Sequence, residues 1–169
     1  METKPLNSIS MLENVYSVTH YTKIYDDKPT DVEDRFFERI KYEISVTKIS
    51  DIAIVVKDFD IPQGFWSGAK KVKLCEVSFK DTNLQKFRTY FNASIDGNVV
   101  LFSRYDHIAK GFFDPTTASA HDIYRNSRAK FGFFAYEKFV LFDMTMGLVF
   151  DNTVGHFVPE KSIDLSKKG

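Results

Sequence analysis

The chain has 169 residues, 23 basic and 23 acidic side chains, and an apolar fraction of 43%. This length predicts one domain with a single core, and the zero net charge excludes strong long-range attraction to nucleic acid or anionic membranes. The 17 Phe and 8 Tyr residues favour β structure and protein interfaces.

Membrane and secretory signals are missing from the sequence. No apolar run approaches the roughly 18 residues that a membrane span needs, so we expect no span. The polar start, residues 1–5, does not predict a signal peptide. The single cysteine, Cys75, predicts no internal disulfide, which fits a reducing compartment or indifference to redox conditions.

The N-terminal residues 1–29 carry scattered apolar side chains without a lasting period. They predict an irregular arm with a short strand at residues 15–25. The arm either packs on or frays from its own domain, or lies on a neighbouring subunit. The segment Thr30-Asp-Val-Glu33 is a capping-box pattern and predicts a short helix near residues 31–38.

The next stretch predicts two strands and a corner. Apolar and polar residues alternate over residues 40–47, which is typical of a strand with one solvated face. A β-branched run at residues 52–56 predicts a second strand, and Pro62-Gln-Gly64 predicts a corner. The Phe65-Trp66 pair beside it is either an exposed contact tip or part of the core.

A third strand and a helix are predicted after this corner. The apolar positions of residues 71–79 change phase near residues 75–76, which predicts a bulge and makes Cys75 a small core or edge residue. A second capping box and apolar residues at helical spacing then predict a packed helix near residues 82–92.

The C-terminal half predicts further strands around a long loop. Asp96-Gly97 is a turn signal before a short strand at residues 99–102. The loop, residues 103–126, is long enough to be functional or disordered, and Phe112 and Phe113 indicate that it docks against something.

Phe-rich runs predict the last three strands, and a polar tail follows. The strand candidates are residues 131–136, 139–142 and 146–150, and the tail covers residues 159–169. The predicted fold class is therefore α+β, mostly antiparallel β, arranged as a sandwich or a partly open barrel. Residues 30–158 form the single β-rich domain between the arm and the tail.

No motif predicts chemistry, so we expect no catalytic residue, no metal and no cofactor. The adjacent pairs Asp106-His107 and His121-Asp122 would supply two histidines and two carboxylates across the loop. Their separation does not match metal-ligand spacing, so ordinary loop residues are the simpler interpretation. A small enzyme that uses these histidines is the minority alternative. Phosphate-binding and nucleophile-elbow motifs do not occur.

A resemblance covers the central third of the chain. The residues that carry it are Tyr42, Ile44 and Val46, then Ile61-Pro-Gln-Gly64, Val77-Ser-Phe79, Asp81-Thr-Asn83 and Phe87-Arg-Thr-Tyr-Phe91. In this order of elements the chain resembles tail tube and tail-assembly proteins of contractile phages and related injection systems. The resemblance implies a structural subunit of a virion, in the tail tube, baseplate or neck, that assembles into rings.

The resemblance also implies partners and an interface. The partners would be copies of the chain and other virion proteins, with DNA only as non-specific passing cargo. The virion would be assembled in the host cytoplasm. Lys41, Glu43 and Ser45 would lie on the strand face that points to the lumen or to a partner.

A monomeric binding or inhibitory module, of the immunity or anti-defence type, is the main alternative function. In that case the loop around Phe112 and Phe113 would plug a partner protein. The two functions differ in oligomeric state, since only the first requires stable rings.

Overall fold

The computed structural model describes residues 15–62, 68–81, 84, 87–108 and 133–158. Their elements in chain order are the strand β1 (Val15–Ile24), the helix α1 (Val32–Thr47), the strands β2 (Ile52–Pro62), β3 (Ala69–Phe79), β4 (Phe87–Asp96) and β5 (Val99–Ile108), and the helix α2 (Phe133–Phe157).

The five strands form one open antiparallel sheet in the order β1-β5-β4-β3-β2. β4 lies at the centre, and β1 and β2 are the two edges. Both helices pack on one face of this sheet and against each other. The predicted α+β class with antiparallel β structure is confirmed, and the sheet is open rather than closed into a barrel.

An aromatic core fills the space between the sheet and the helices. Phe36 of α1 lies against Phe102 of β5 and against Phe150 and Phe157 of α2, with ring centroids 5.1–6.4 Å apart. Phe87 of β4 stacks on α2 in the same layer. Aromatic rings bury more area than any other side chains, so these contacts contribute strongly to stability.

α1 is twice as long as the predicted helix, and the predicted strand at residues 40–47 is wrong. The helix begins after Asp31 and ends at Thr47, and the C-cap residue Lys48 has a left-handed φ of 54°. Ile40 and Ile44 are buried while Val46 is exposed, as helical geometry requires. A four-residue spacing fits both a helix and a strand, which is why the alternation was misleading.

The helix predicted near residues 82–92 is wrong over its second half, because residues 87–92 belong to the strand β4. Phe87 and Phe91 point to the helices, whereas Tyr90 is buried on the other face of the sheet. A central strand with both faces covered has no polar face. Its apolar residues therefore fall at spacings that imitate a helix.

β3 pairs with β2 over their whole length without the predicted bulge. The register runs without a shift from Ile52↔Phe79 to Pro62↔Ala69. The change of apolar phase arises because Leu74 faces one side of the sheet and Val77 the other, and both sides are buried. Cys75 is fully buried, as expected for a small core residue.

The three C-terminal strand candidates are wrong where the structure describes them. Residues 133–157 form the single helix α2, whose buried side chains recur every three or four residues. They are Phe139, Phe142, Met146, Val149, Phe150, Val154 and Phe157. Apolar side chains also occur on the exposed side of α2, and they hide this helical period in the sequence.

The short strand predicted at residues 15–25 is confirmed as β1, and it joins the sheet. It pairs with β5 from Val15↔His107 to Ile24↔Val99. The turn at Asp96-Gly97 is confirmed, with Gly97 at φ 59° between β4 and β5. β5 continues to Ile108, so the first six residues of the predicted loop belong to a strand.

Candidate interaction surface

The sequence-predicted interface residues do not come together in the described part of the chain. Lys41 and Ser45 lie on the exposed side of α1, where Lys41 Nζ donates to Glu38 Oε1 over 2.7 Å. Glu43 instead points toward α2 and is only 7% exposed. A strand would have placed Lys41, Glu43 and Ser45 on one face, whereas the helix turns Glu43 away from the other two. Phe65, Trp66, Phe112 and Phe113 lie outside the described residues.

Glu43 belongs to a polar contact between the helices. Arg39 Nη2 lies 2.5 Å from Glu43 Oε1, and Asn152 Nδ2 donates to Glu43 Oε2 over 3.4 Å. A carboxylate this buried requires such partners, because its transfer from water is otherwise unfavourable. The contact fixes α1 beside the C-terminal half of α2.

A second ionic network joins the sheet to α2. Arg104 Nε and Nη2 each lie 2.9 Å from Asp106 Oδ1, and Nη2 also donates to Asp143 Oδ1 over 2.9 Å. Thr89 Oγ1 donates to Asp106 over 2.9 Å. Burial raises the pKa of Asp106 to about 6, although the Arg104 guanidinium acts in the opposite direction. The network anchors the middle of α2 to β5.

The Asp106-His107 pair does not converge on one site. Successive strand residues point to opposite faces, so Asp106 faces α2 while the His107 ring packs edge-to-face on Tyr90, with centroids 5.9 Å apart. No group of three or more His, Cys, Asp or Glu side chains within the described ranges could hold a metal ion. His121 and Asp122 fall outside those ranges.

A small second core lies on the sheet face away from the helices. Phe59, Leu74 and Tyr90 form it, and the Tyr90 ring is fully buried. The Tyr90 hydroxyl lies beside Arg88 and Glu76 without a hydrogen bond of ordinary geometry to either, and burial raises its pKa. These side chains stabilise the centre of the sheet.

One face of α2 carries large apolar side chains that are mostly exposed. Phe134 is 80% exposed, and Leu141, Met144 and Leu148 are 60%, 65% and 63% exposed. They follow one another at spacings of seven, three and four residues, so they line one side of the helix. We call these four residues the outer stripe. Tyr42 and Val46 of the neighbouring α1 are also exposed.

The outer stripe leads to a cleft at the C-terminal end of α2. The cleft has a volume of about 610 Å³, and its lining residues are Tyr21, Arg39, Glu43, Asp151, Asn152, Val154 and Gly155. Gly155 continues the line of Leu148 seven residues later. A Cβ atom placed on Gly155 would meet no atom within 4 Å, so the floor of the cleft has open space there.

Comparisons with known proteins found no significant match to the chain. No protein-family model matches it, and no curated protein or solved structure is significantly similar to it. Within the part of the chain that the structure describes, no helix has the length and apolar character needed to cross a membrane.

Sequence reasoning missed the outer stripe because it divided residues 131–150 into strands. The signal was available: Leu141, Met144 and Leu148 repeat at helical spacing, as do Phe139, Phe142 and Met146. Two interleaved apolar sets on one segment predict a helix that is covered on both sides.

Proposed function

We propose that this protein is a non-catalytic assembly module that binds another protein surface through the outer layer formed by its two helices. The observation that carries this proposal is the outer stripe, with four large apolar side chains at least 60% exposed on one face of α2. Scattered exposed apolar residues are common in proteins. Several of them along one helix face favour a binding surface.

The charges beside the outer stripe favour a protein partner over a lipid surface. The exposed acidic side chains of α2 are Glu137 and Asp151, and its exposed basic or titratable nitrogen groups are Lys138 and His156. Helices that lie on membranes are rich in Lys and Arg on their polar side. An apolar patch with a polar border that is not predominantly basic fits a protein interface better.

A structural subunit of a phage virion is one specific form of this proposal. It draws on the resemblance to tail-assembly proteins, in which copies of the chain and other virion proteins are the partners. Of the residues that carry this resemblance, Tyr42, Ile44 and Val46 lie in the helix α1 rather than in a strand, and residues 87–91 lie in the strand β4 rather than in a helix. A monomeric module that inhibits a partner is the second form, and the outer stripe serves either form equally well.

Site-specific photo-crosslinking tests the assembly function. A photoreactive amino acid replaces Leu148 in the outer stripe or, as a control, Ile24, which is 72% exposed at the end of the edge strand β1. After irradiation in an extract of cells that naturally make the protein, we expect protein adducts from position 148 and few from position 24. Equal yields from both positions, or none from 148, would contradict the proposal.

Recovery from purified particles tests the virion form separately. If the protein is a virion subunit, it should co-purify with phage particles in a fixed stoichiometric ratio. Its loss during particle purification would remove the virion form but leave the assembly function in place.

A further inference from the structure

We infer that the edge strand β2 is a second interaction surface, at which an extended, uncharged segment of a partner protein adds to the sheet along residues 52–56. This inference goes beyond the proposed function, because it concerns a different surface from the outer stripe. It follows from the direction of the backbone groups of β2 and from the distribution of charged side chains along it.

One side of β2 has no neighbouring strand in the described part of the chain. The sheet order places β3 on its other side, at the end of the sheet. The pairing with β3 runs over the whole length of β2 without a bulge, so the free side carries an uninterrupted row of backbone donors and acceptors. An extended segment of another protein can pair with such a row as an additional strand.

The register shows which backbone groups point to the free side. The Lys80 N–H donates to the Asp51 carbonyl oxygen over 2.7 Å, so these opposed residues form a hydrogen-bonded pair. Hydrogen-bonded pairs alternate along an antiparallel ladder. The odd-numbered residues of β2 therefore bond to β3, whereas the N–H and C=O groups of Ile52, Ile54 and Val56 point to the free side.

Pro62 agrees with this alternation. It is an even-numbered residue at the end of β2, opposite Ala69, and it has no N–H group to donate. Proline in sheets is confined to positions such as the outward-facing side of an edge strand. The proline of β2 thus lies where no bond to β3 is lost.

The two halves of β2 differ in their protection against strand pairing. Edge strands are usually protected by charged side chains, by proline or by bulges. Lys57, Asp58, Asp60 and Pro62 give this protection to the second half. Residues 52–56, with the sequence Ile-Ala-Ile-Val-Val, contain none of these features and are rich in β-branched side chains. The open segment is long enough to pair as an ordinary short strand.

The opposite edge strand, β1, is a poorer template. Its register is irregular at its start. Two of its side chains bind α2, because the Tyr16 hydroxyl donates to Asp143 Oδ1 over 3.2 Å and Lys23 Nζ donates to the Phe157 carbonyl oxygen over 2.7 Å. Irregular edges discourage the addition of a further strand, so residues 52–56 are the more open edge.

The side chains of the open segment define the chemistry of the partner. Ile52, Ile54 and Val56 pack against the core on the helix side of the sheet, and Val55 on the other side is 44% exposed. An added strand would have apolar neighbours of this kind on both of its faces, so apolar and β-branched side chains fit best. A charged side chain there would lose water without gaining an ionic partner.

A second copy of β2 fits this edge less well. Two β2 strands paired antiparallel over their whole length, residues 52–62, would place Lys57 of one copy directly opposite Lys57 of the other. Like charges directly opposite each other destabilise a strand pair. This favours a different, uncharged strand as the partner.

Amide hydrogen exchange of the full chain, resolved by NMR, is the first test. In the free protein, the amides of Ile54 and Val56 should exchange at least about 100-fold faster than those of Ala53 and Val55, which donate to β3. Equally slow exchange at all four positions would show that this side is already covered and would contradict the inference. Slow exchange that disappears on about tenfold dilution would identify a second copy as the occupant and would contradict it as well.

Peptide addition is the second test. The probe is a short peptide of alternating threonine and valine, blocked at both ends. With a Kd of roughly 0.1 mM, as for a modest interface, roughly 1 mM peptide should slow the exchange of Ile54 and Val56 about tenfold.

Two control peptides define what is recognised. In the first, two adjacent prolines at the centre remove an N–H group from each edge of the peptide. In the second, glutamate replaces the valines. Neither should protect Ile54 or Val56. Equal protection by either control, or no protection by the uncharged probe, would overturn the inference.

Proline variants locate the site on the protein. Ile54→Pro removes an N–H group from the free side without removing a bond to β3, and it should abolish the protection of Val56 by the peptide. Asp60→Pro is the matched control, because it changes the same kind of position in the protected half and should leave this protection in place. Slow exchange at Ala53 shows that a variant is folded. If Ile54→Pro does not fold, the control peptides still decide the question.

The outcomes are independent of the proposed function. Failure of the peptide to protect Ile54 and Val56 removes this inference and leaves the crosslinks from position 148 unaffected. Absence of those crosslinks removes the proposed function without changing exchange at the edge of β2.

Discussion

At the residue scale, Arg104 is the connection between the sheet and the helix layer. It is buried, and its guanidinium joins Asp106 of β5 to Asp143 of α2. A group of one cation and two carboxylates stabilises the fold only if its geometry is maintained, because each charge is taken out of water. Two neighbouring positions make this dependence measurable.

Gly147 provides the space for Arg104. A Cβ atom at position 147 would lie 2.9 Å from Arg104 Nη1, so Gly147→Ala must displace the anchored guanidinium. We expect a loss of about 1–3 kcal/mol in the free energy of unfolding, even though alanine favours helix. Gly155→Ala, where no atom is within 4 Å, is the matched control and should stabilise the monomer by up to about 1 kcal/mol. Urea unfolding at dilute protein concentration measures both, and equal effects would contradict the steric argument.

Asp106 makes stability depend on pH. Its pKa is raised from 3.8 to about 6 in the folded chain, so the folded state holds this proton more tightly than the unfolded state. The stability due to this group is therefore complete below pH 4 and is lost as the pH rises to about 6. Two pKa units correspond to about 3 kcal/mol.

The variant Asp106→Asn isolates this contribution. Asparagine keeps an oxygen that accepts from Thr89 and Arg104, but it does not titrate. Urea unfolding between pH 4 and pH 7 should show the wild type losing about 3 kcal/mol relative to the variant. Parallel stability curves for the two proteins would contradict the assignment.

At the element scale, α1 demonstrates how one apolar pattern fits two structures. Ile40, Tyr42, Ile44 and Val46 alternate as a strand would, but the helix buries only Ile40 and Ile44. The four-residue spacing, together with Phe36, places these two side chains on the face that meets the sheet. The remaining two point to solvent.

Paired substitutions distinguish the helix from the alternative strand in this segment. In the helix, Ile44→Ala should reduce the free energy of unfolding by about 2–4 kcal/mol, whereas Val46→Ala should change it by less than about 0.5 kcal/mol in the monomer. A strand would bury both side chains and give two comparable losses. Chemical denaturation of the two variants measures the difference directly.

At the scale of the whole molecule, α1 and α2 cover one face of the sheet, and a small second core partly covers the other face. α2 then contributes one apolar face to the core and leaves the outer stripe exposed. The whole-molecule architecture thus places the proposed binding surface on the helix layer.

The sequence alone determined the α+β class, the short strand β1, the strands β2 and β3, the turn at Gly97 and the buried position of Cys75. In each case a local signal was sufficient, such as a turn residue or a β-branched run. These signals depend on backbone preferences of adjacent residues and need no knowledge of distant contacts.

Only the tertiary structure decided α2, β4, the full length of α1 and the position of the outer stripe. A hydrophobic period can be recognised in a sequence only when one face of the element is buried and the other is exposed to solvent. β4 is covered on both sides, and α2 is apolar on both sides, so neither leaves a readable period. Which of two apolar faces meets the sheet is fixed by partners far away in the chain, and a single sequence carries no direct record of those contacts.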